Sequence, residues 1–340
     1  MTVRPLKLAV VGATGSVGRA VLEDLEAREI PVDLRLFATS RSEVDLLEFR
    51  GDELEVETVT DRSFRGCDAA ILAVPTSVAR ELAPKAWAEG CLAVDLSGAF
   101  RSVEGVPLVV AGVNDADVPA GEARGVVASP SGPVVPLALA LAPIHREAGI
   151  QRVVVTILQA ASGSGRGGLR QLEKELVALL NGEEPDPSDL SHRVGMNLVP
   201  QVGAFLPGGA TDVEGAVGAE LRRLLAAPAL AATATAIRVP VFYAHGLVVN
   251  LRTARPLSAD GARAVLRASS ELKVIDSPEE RIYPMPMLAV NDDAVLVGRV
   301  REDASQENGL DLFVVADNLR RGAAGNAVRI AEAWVRGRRT

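Results

Sequence analysis

The sequence predicts an α/β protein of two units, a doubly wound parallel sheet followed by a second, mostly antiparallel sheet. Three observations carry that expectation. The chain has 340 residues, and at roughly 100–200 residues per domain that length makes two domains. Over residues 1–130, apolar runs alternate with amphipathic helical stretches. Runs that stay apolar without alternation mark strands buried on both faces, as in parallel sheets. Beyond Pro136 the texture changes to longer strands separated by polar loops.

Each element follows from its local pattern. Residues 6–11 form a buried strand, and 17–28 a helix with Val17, Val21, Leu22 and Leu25 on one face. Residues 34–38 make a second strand, 53–59 alternate as an edge strand does, and 69–74 are buried again. A helix over 77–89 leads to a strand at 91–96, and short apolar runs at 108–110 and 125–128 complete the sheet. A helix over 133–148 then precedes a long strand at 152–160, a Gly-rich loop, and a helix over 169–180. The polar, proline-bearing stretch 181–191 is a surface loop. Residues 236–243, 247–254, 295–300 and 310–316 supply the second sheet, and a last helix at 323–336 packs back on the first domain.

Composition excludes several functions. Lys plus Arg number 36 against 44 Asp plus Glu, a net charge of −8, which argues against affinity for nucleic acid or anionic membrane. Seven Phe, two Trp and two Tyr leave little to stack on bases. The N-terminal apolar run ends in glycines rather than a cleavage site, so it opens a domain. The apolar stretch 134–144 is interrupted by Pro136 and Pro143 and is too short to span a bilayer. Two cysteines cannot build a disulfide scaffold, so a soluble protein of the reducing cytoplasm is expected. No metal site is expected.

The first strand runs into Gly12-Ala13-Thr14-Gly15-Ser16-Val17-Gly18, which opens the first helix. Glycines there allow a tight turn, close approach of the backbone to a pyrophosphate, and close helix–strand packing. The helix N-terminus adds unpaired N–H groups and a positive dipole end. Gly12, Thr14, Gly15, Ser16 and Val17 are therefore candidate cofactor contacts. At the end of the second strand an acidic residue would bind a ribose 2′-hydroxyl. This chain has Ala38-Thr39-Ser40-Arg41-Ser42 instead, and Arg41 with Ser42 suits a 2′-phosphate, hence NADP.

In order along the chain stand GATGSVG, TSRS, VDLSGAFR, VPLVVAGVN, ASPSG, VVTILQAASGSGRGG, NLVPQV, IRVPVFYAH, VGRVR and VVADNLRRGAAGNAVRIAE. With these segments the whole chain resembles the aspartate-semialdehyde dehydrogenase family, and within it the usg-type paralogues. The resemblance implies a Rossmann domain at 1–132 and 319–340, and a central α+β dimerisation and substrate domain at 133–318. It implies a homodimer and a place in amino-acid biosynthesis. The family reduces aspartyl phosphate with NADPH through a thioacyl intermediate on a cysteine. Carried over residue by residue, Arg101 stands at the phosphate-binding arginine and Gln159 at the substrate-orienting glutamine. Ser162 and Gly163 line the cofactor loop, and Asn318 lies near the nicotinamide. Glu214 stands at the substrate-amine carboxylate, Arg238 at the substrate-carboxylate arginine and His245 at the catalytic histidine.

The cysteine does not carry over. Where the family reads Pro-Asn-Cys, this chain has Pro130-Ser131-Gly132, and a phosphate-binding lysine falls on Ala216. Proline is favoured at the first position of a helix with a small cap before it, so 131–133 starts a helix without doing catalysis. The expectation is an NADP-binding family member whose phosphorylating reaction is lost or very weak and whose pocket takes a small anionic ligand. Two other readings stay open: an oxidoreductase using direct hydride transfer on another anionic carbonyl substrate, and a non-enzymatic partner of an active paralogue.

Overall fold

The computed structural model describes residues 4–39, 46–186 and 192–337. The chain divides into two units, Met1–Pro130 with Ala323–Thr340, and Ser131–Gly322; the sequence had set the divisions at 132/133 and 318/319. The observed architecture is the expected α/β one, a doubly wound unit and a second unit with a mixed sheet.

The first unit contains β1 (Leu6–Val11), α1 (Ser16–Ala27), β2 (Val32–Ala38), β3 (Leu46–Phe49), β4 (Asp52–Thr58), β5 (Ala69–Leu72), α2 (Thr76–Ala88), β6 (Leu92–Asp95) and β7 (Val126–Ala128). Its sheet runs β3-β4-β2-β1-β5-β6-β7, with all neighbours parallel except β3 and β4. The order reverses at β1, where a doubly wound sheet opens a crevice for ligand. β5 and β6 are buried at every residue, which explains their unalternating apolar sequence. The expected edge strand is not at the edge. β4 lies between β2 and β3, and β3, which the sequence reading passed over, takes the outer place. Residues 108–110 contribute only one isolated bridge, Leu108 to Ala128.

The second unit begins with α3 (Val134–Ala148), β8 (Ile150–Gln159), α4 (Gly165–Leu180), α5 (Asp212–Leu224), β9 (Ala231–Arg238) and β10 (His245–Thr253). It continues with α6 (Ala259–Arg267), β11 (Leu272–Val274), α7 (Pro286–Ala289), β12 (Val295–Glu302) and β13 (Gly309–Ala316). The sheet order is β11-β12-β13-β10-β8-β9. β12, β13, β10 and β8 pair antiparallel, while β8 with β9 and β11 with β12 are parallel. α3 packs on β8, β10, β12 and β13 and is buried along almost its whole length. That explains an apolar run too short for a membrane, and among the described residues no helix is long and apolar enough to cross one.

Three local expectations are corrected. Gly165, Gly167 and Gly168 lie inside α4 rather than in a loop. The added Cβ of Gly168 would lie 2.6 Å from the Ala161 carbonyl oxygen, so the glycine permits close packing of that first turn. The strand expected over 236–243 occupies Ala231–Arg238, because Pro240 lacks a ladder donor. Pro133 takes the cap position with helical dihedrals, one residue before α3 begins.

A π-helical turn, Arg320–Ala324, precedes α8 (Gly325–Gly337), which belongs to the first unit and packs on α1, β5 and β6. Asn326 on α8 is fully buried. Its Oδ1 accepts from the Ala111 N–H (2.9 Å), and its Nδ2 donates to the Val109 carbonyl (3.0 Å) and Ser129 Oγ (2.9 Å). A buried main-chain donor and acceptor therefore depend on one amide. Asn326→Leu is expected to destabilise the first unit by about 2–4 kcal/mol, read as a lowered midpoint in urea unfolding, while an exposed change on the same helix such as Arg336→Ala leaves it unmoved.

Candidate active site

In the first unit, the turn between β1 and α1 is built as a phosphate cradle. Gly12 adopts φ +85°, and a Cβ there would lie 2.2 Å from the Ala73 carbonyl oxygen. A Cβ on Gly18 would lie 2.2 Å from the Gly12 carbonyl oxygen. Both positions thus require glycine, one for the turn and one for helix–strand packing. Gly15 caps α1 with no side-chain hydrogen bond, and no acidic residue stands in the first turn. Thr14, Ser16 and Val17 flank this N-terminus, whose N–H groups and dipole suit a pyrophosphate. Arg41 and Ser42, expected to read the 2′-phosphate, lie outside the described residues.

Arg101 also belongs to this unit. Its Nε donates to the Ser129 carbonyl (2.9 Å) and one Nη to the Leu96 carbonyl (3.2 Å). Buried Asp95 organises the loop beneath it by accepting from the Ser97 N–H, Ser97 Oγ and the Phe100 N–H. The guanidinium is therefore held in one orientation.

The second unit gathers the other expected residues on its sheet. β8 pairs β9 with Gln159 opposite Arg238. On the other side β8 pairs β10 with Leu158 opposite Gly246, and the same register carried one residue further sets His245 opposite Gln159. Residues aligned across neighbouring strands share a face, so Arg238, Gln159 and His245 form one rank. They are 8%, 6% and 3% exposed. A Cβ on Gly163 would lie 3.0 Å from Gln159 Cδ and 3.2 Å from His245 Cε1, so a glycine is what lets that loop close over the rank. Beside it, Ser162 Oγ donates to Asn318 Oδ1 (2.8 Å), with both residues buried.

The electrostatics of the rank are unusual. His245 Nδ1 accepts from the Ala160 N–H (3.2 Å), which leaves the proton of the neutral ring on Nε2. Burial, reinforced by the Arg238 charge, pushes His245 down to about 3. Burial likewise lowers Arg238, which makes no ion pair among the described residues. Arg238 Nη1 and Gln159 Oε1 are both buried without hydrogen-bond partners. The rank thus offers one buried donor and one buried acceptor not used within the described residues.

α3 leads through Gly149 into β8 and packs against it. A helix of this length rises about 22 Å, so its N-terminus, with Gly132 ahead of it, lies toward the Gln159 end of β8. A Cβ on Gly132 would meet nothing within 4 Å. Ser131 is held away by Glu220, whose Oε2 accepts from both its N–H (2.9 Å) and its hydroxyl (2.8 Å).

Glu214 is placed differently from the rank. It completes a capping box on α5, with Oε2 accepting from the Thr211 N–H (2.7 Å) and Thr211 Oγ1 from the Glu214 N–H (3.3 Å). Its Oε1 accepts from the Ala236 N–H (2.8 Å). The T-x-x-E spacing already signals that arrangement. The sequence reading also missed Glu220, for which no motif exists; only the tertiary contact with Ser131 reveals it. Cys67 and Cys91 are buried in the first unit, and desolvation raises both thiols.

A family model described as the NAD binding domain of semialdehyde dehydrogenase matches residues 7–120, and one described as its dimerisation domain matches 141–321. Aspartate-semialdehyde dehydrogenase of Aquifex aeolicus is 40% identical over 333 residues, covering 97% of this chain and 98% of that protein. The enzyme of Legionella pneumophila is 38% identical over 331 residues, covering 97% and 95%. The chain belongs to the aspartate-semialdehyde dehydrogenase family. Among solved structures, aspartate semialdehyde dehydrogenase II of Vibrio cholerae complexed with ASA superposes with a TM-score of 0.95 at 34% identity, covering 98% of this chain and 99% of that one. Across the semialdehyde dehydrogenase fold, then, the nucleotide loop and Arg101 belong to one unit, and Gln159, Arg238 and His245 to the other.

His245 supplies a pH prediction. Its folded-state value near 3 lies below the ordinary 6.5, so the unfolded chain takes up a proton first as pH falls. Stability contributed by the neutral ring is complete above about 6.5 and is lost toward about 3. His245→Asn keeps an acceptor for the Ala160 N–H without titrating. Its denaturation midpoint is expected to fall less steeply with acid than the wild type's, the difference reaching at most about 1.4 kcal/mol per pH unit.

Proposed function

We propose that this aspartate-semialdehyde dehydrogenase family member binds NADP and a small anionic ligand but has lost the phosphorylating dehydrogenase reaction. The observation that carries the reading is Gly132, with no side chain, at the position of the nucleophile. Hydride transfer in the family's chemistry needs a thioester, and only a thiolate forms one. A thiol at a helix N-terminus is activated by the positive dipole end, yet here that place holds no thiol. Cys67 and Cys91 are buried with raised pKa values and belong to the first unit. Ser131 spends its hydroxyl on Glu220, and its ester would accept hydride less readily than a thioester. Ala216, in place of the lysine, removes a second group from the phosphate side. On this reading the chain groups with the usg-type paralogues.

The cradle between β1 and α1 supports the nucleotide half. Gly12, Thr14, Gly15, Ser16 and Val17 would hold the pyrophosphate, and Arg41 with Ser42 favours NADP over NAD on charge. When bound, the cofactor supplies or accepts hydride. Within the second unit, Gln159, Arg238 and His245 would take the anionic ligand. The dimerisation-domain match supports a homodimer, and two free thiols suit the cytoplasm.

Purified protein is expected to bind NADPH in a fluorescence titration, more tightly than NADH. It should show no phosphate-dependent oxidation of aspartate semialdehyde above background. Gly132→Cys, whose Cβ enters open space, should raise that rate by about 10²-fold or more, since deleting a covalent nucleophile costs about 10⁴–10⁶ in turnover. Robust turnover by the unaltered protein would refute the reading.

A further inference from the structure

The rank on β9, β8 and β10 carries information about its ligand beyond a carboxylate at Arg238. Arg238 presents a buried donor with no acceptor, and Gln159, beside it, a buried acceptor with no donor. Leaving either group unsatisfied is costly, so the fitting ligand brings an anionic acceptor and a hydrogen-bond donor together. The two residues stand opposite each other on paired strands, whose backbones run about 5 Å apart, so a ligand that meets both carries its carboxylate and its donor close together.

Charge then decides which donor. Arg238 is the one charge of the rank, since His245 is neutral with its proton on Nε2. Glu214 uses both carboxylate oxygens on main-chain N–H groups and makes no ion pair with Arg238. A monoanion therefore neutralises the site, whereas a zwitterionic amino acid leaves it positive and sets an ammonium near a guanidinium. In a buried site that difference weighs heavily.

We propose that the Arg238–Gln159–His245 rank recognises small 2-hydroxy monocarboxylates, the carboxylate on Arg238 and the hydroxyl donating to Gln159 Oε1. The inference rests on the reading of this rank as the ligand pocket and is independent of the loss of thiol chemistry.

Calorimetric titration of the full chain near neutral pH, with and without NADPH, compares 2-hydroxybutyrate, 2-aminobutyrate and butyrate. The hydroxy acid is expected to bind about tenfold tighter than butyrate, the effect of one net buried hydrogen bond, and tighter than the amino acid. Gln159→Leu should bring 2-hydroxybutyrate down to the level at which the same variant binds butyrate. Gln159→Glu, which supplies the missing negative charge, should turn the preference toward 2-aminobutyrate. Equal or tighter binding of butyrate or 2-aminobutyrate by the unaltered protein would overturn the proposal. So would a hydroxyl preference that survives Gln159→Leu, or no heat with any of the three. Because equilibrium binding is read, failure here is distinct from finding turnover with aspartate semialdehyde.

Discussion

Arg238 carries a positive charge into the protein with no carboxylate paired to it among the described residues. A bare buried charge is among the most costly arrangements a fold can hold, and much of the second unit is organised so that this one persists. β8 lies between β9 and β10, so its last residue, Gln159, has Arg238 on one side and His245 on the other. α3 covers the face on which Leu247, Val249 and Leu251 of β10 are buried. The main chain takes His245 Nδ1 through the Ala160 N–H, which fixes its tautomer and keeps it from sharing the positive charge. What remains at the ends of these strands is a buried guanidinium beside a neutral imidazole.

The first unit solves the opposite problem. Its ligand-facing element is backbone, the turn after β1, where Gly12 and Gly18 admit no side chain because neighbouring carbonyls lie too close. An uncapped helix start with no nearby acid leaves N–H donors for phosphate. Both units thus present positive potential, one from a helix dipole and one from a guanidinium. An overall acidic protein can therefore hold anionic small molecules without a general affinity for polyanions.

The elements of the first unit were legible because its strands are buried on both faces and its helices are amphipathic; β1 in particular runs over Leu6–Val11 as read. Legibility failed where burial is partial. β3 is only four residues long and α6 buries only Ala262 and Leu266, so neither has room for a clear periodic signal. In α5 the buried positions include Gly218 and Glu220 among the apolar ones, which breaks the apolar stripe, although Thr211 and Glu214 stand at its start. The run after Pro240 looked like strand by composition, yet β9 ends at Arg238, and the Val241 and Phe242 carbonyls accept from the Ala161 and Ser162 N–H groups beyond the end of β8. In the candidate site, Gln159, Arg238 and His245 were singled out one by one through resemblance, and their alignment into a rank was invisible in a chain where they stand far apart.

By itself the sequence determined the two-unit α/β architecture, the glycine-built phosphate turn, and the identity of the side chain at each candidate position. These follow from periodicity, from the steric demands of turns and from the plain presence or absence of a functional group. Only the tertiary structure decided which polar groups are paired. It gave Glu214 to the backbone and Ser131 to Glu220, and among the described residues it left Arg238 Nη1 and Gln159 Oε1 without hydrogen-bond partners. Pairing depends on strand register and helix docking, which bring together residues that no local pattern connects.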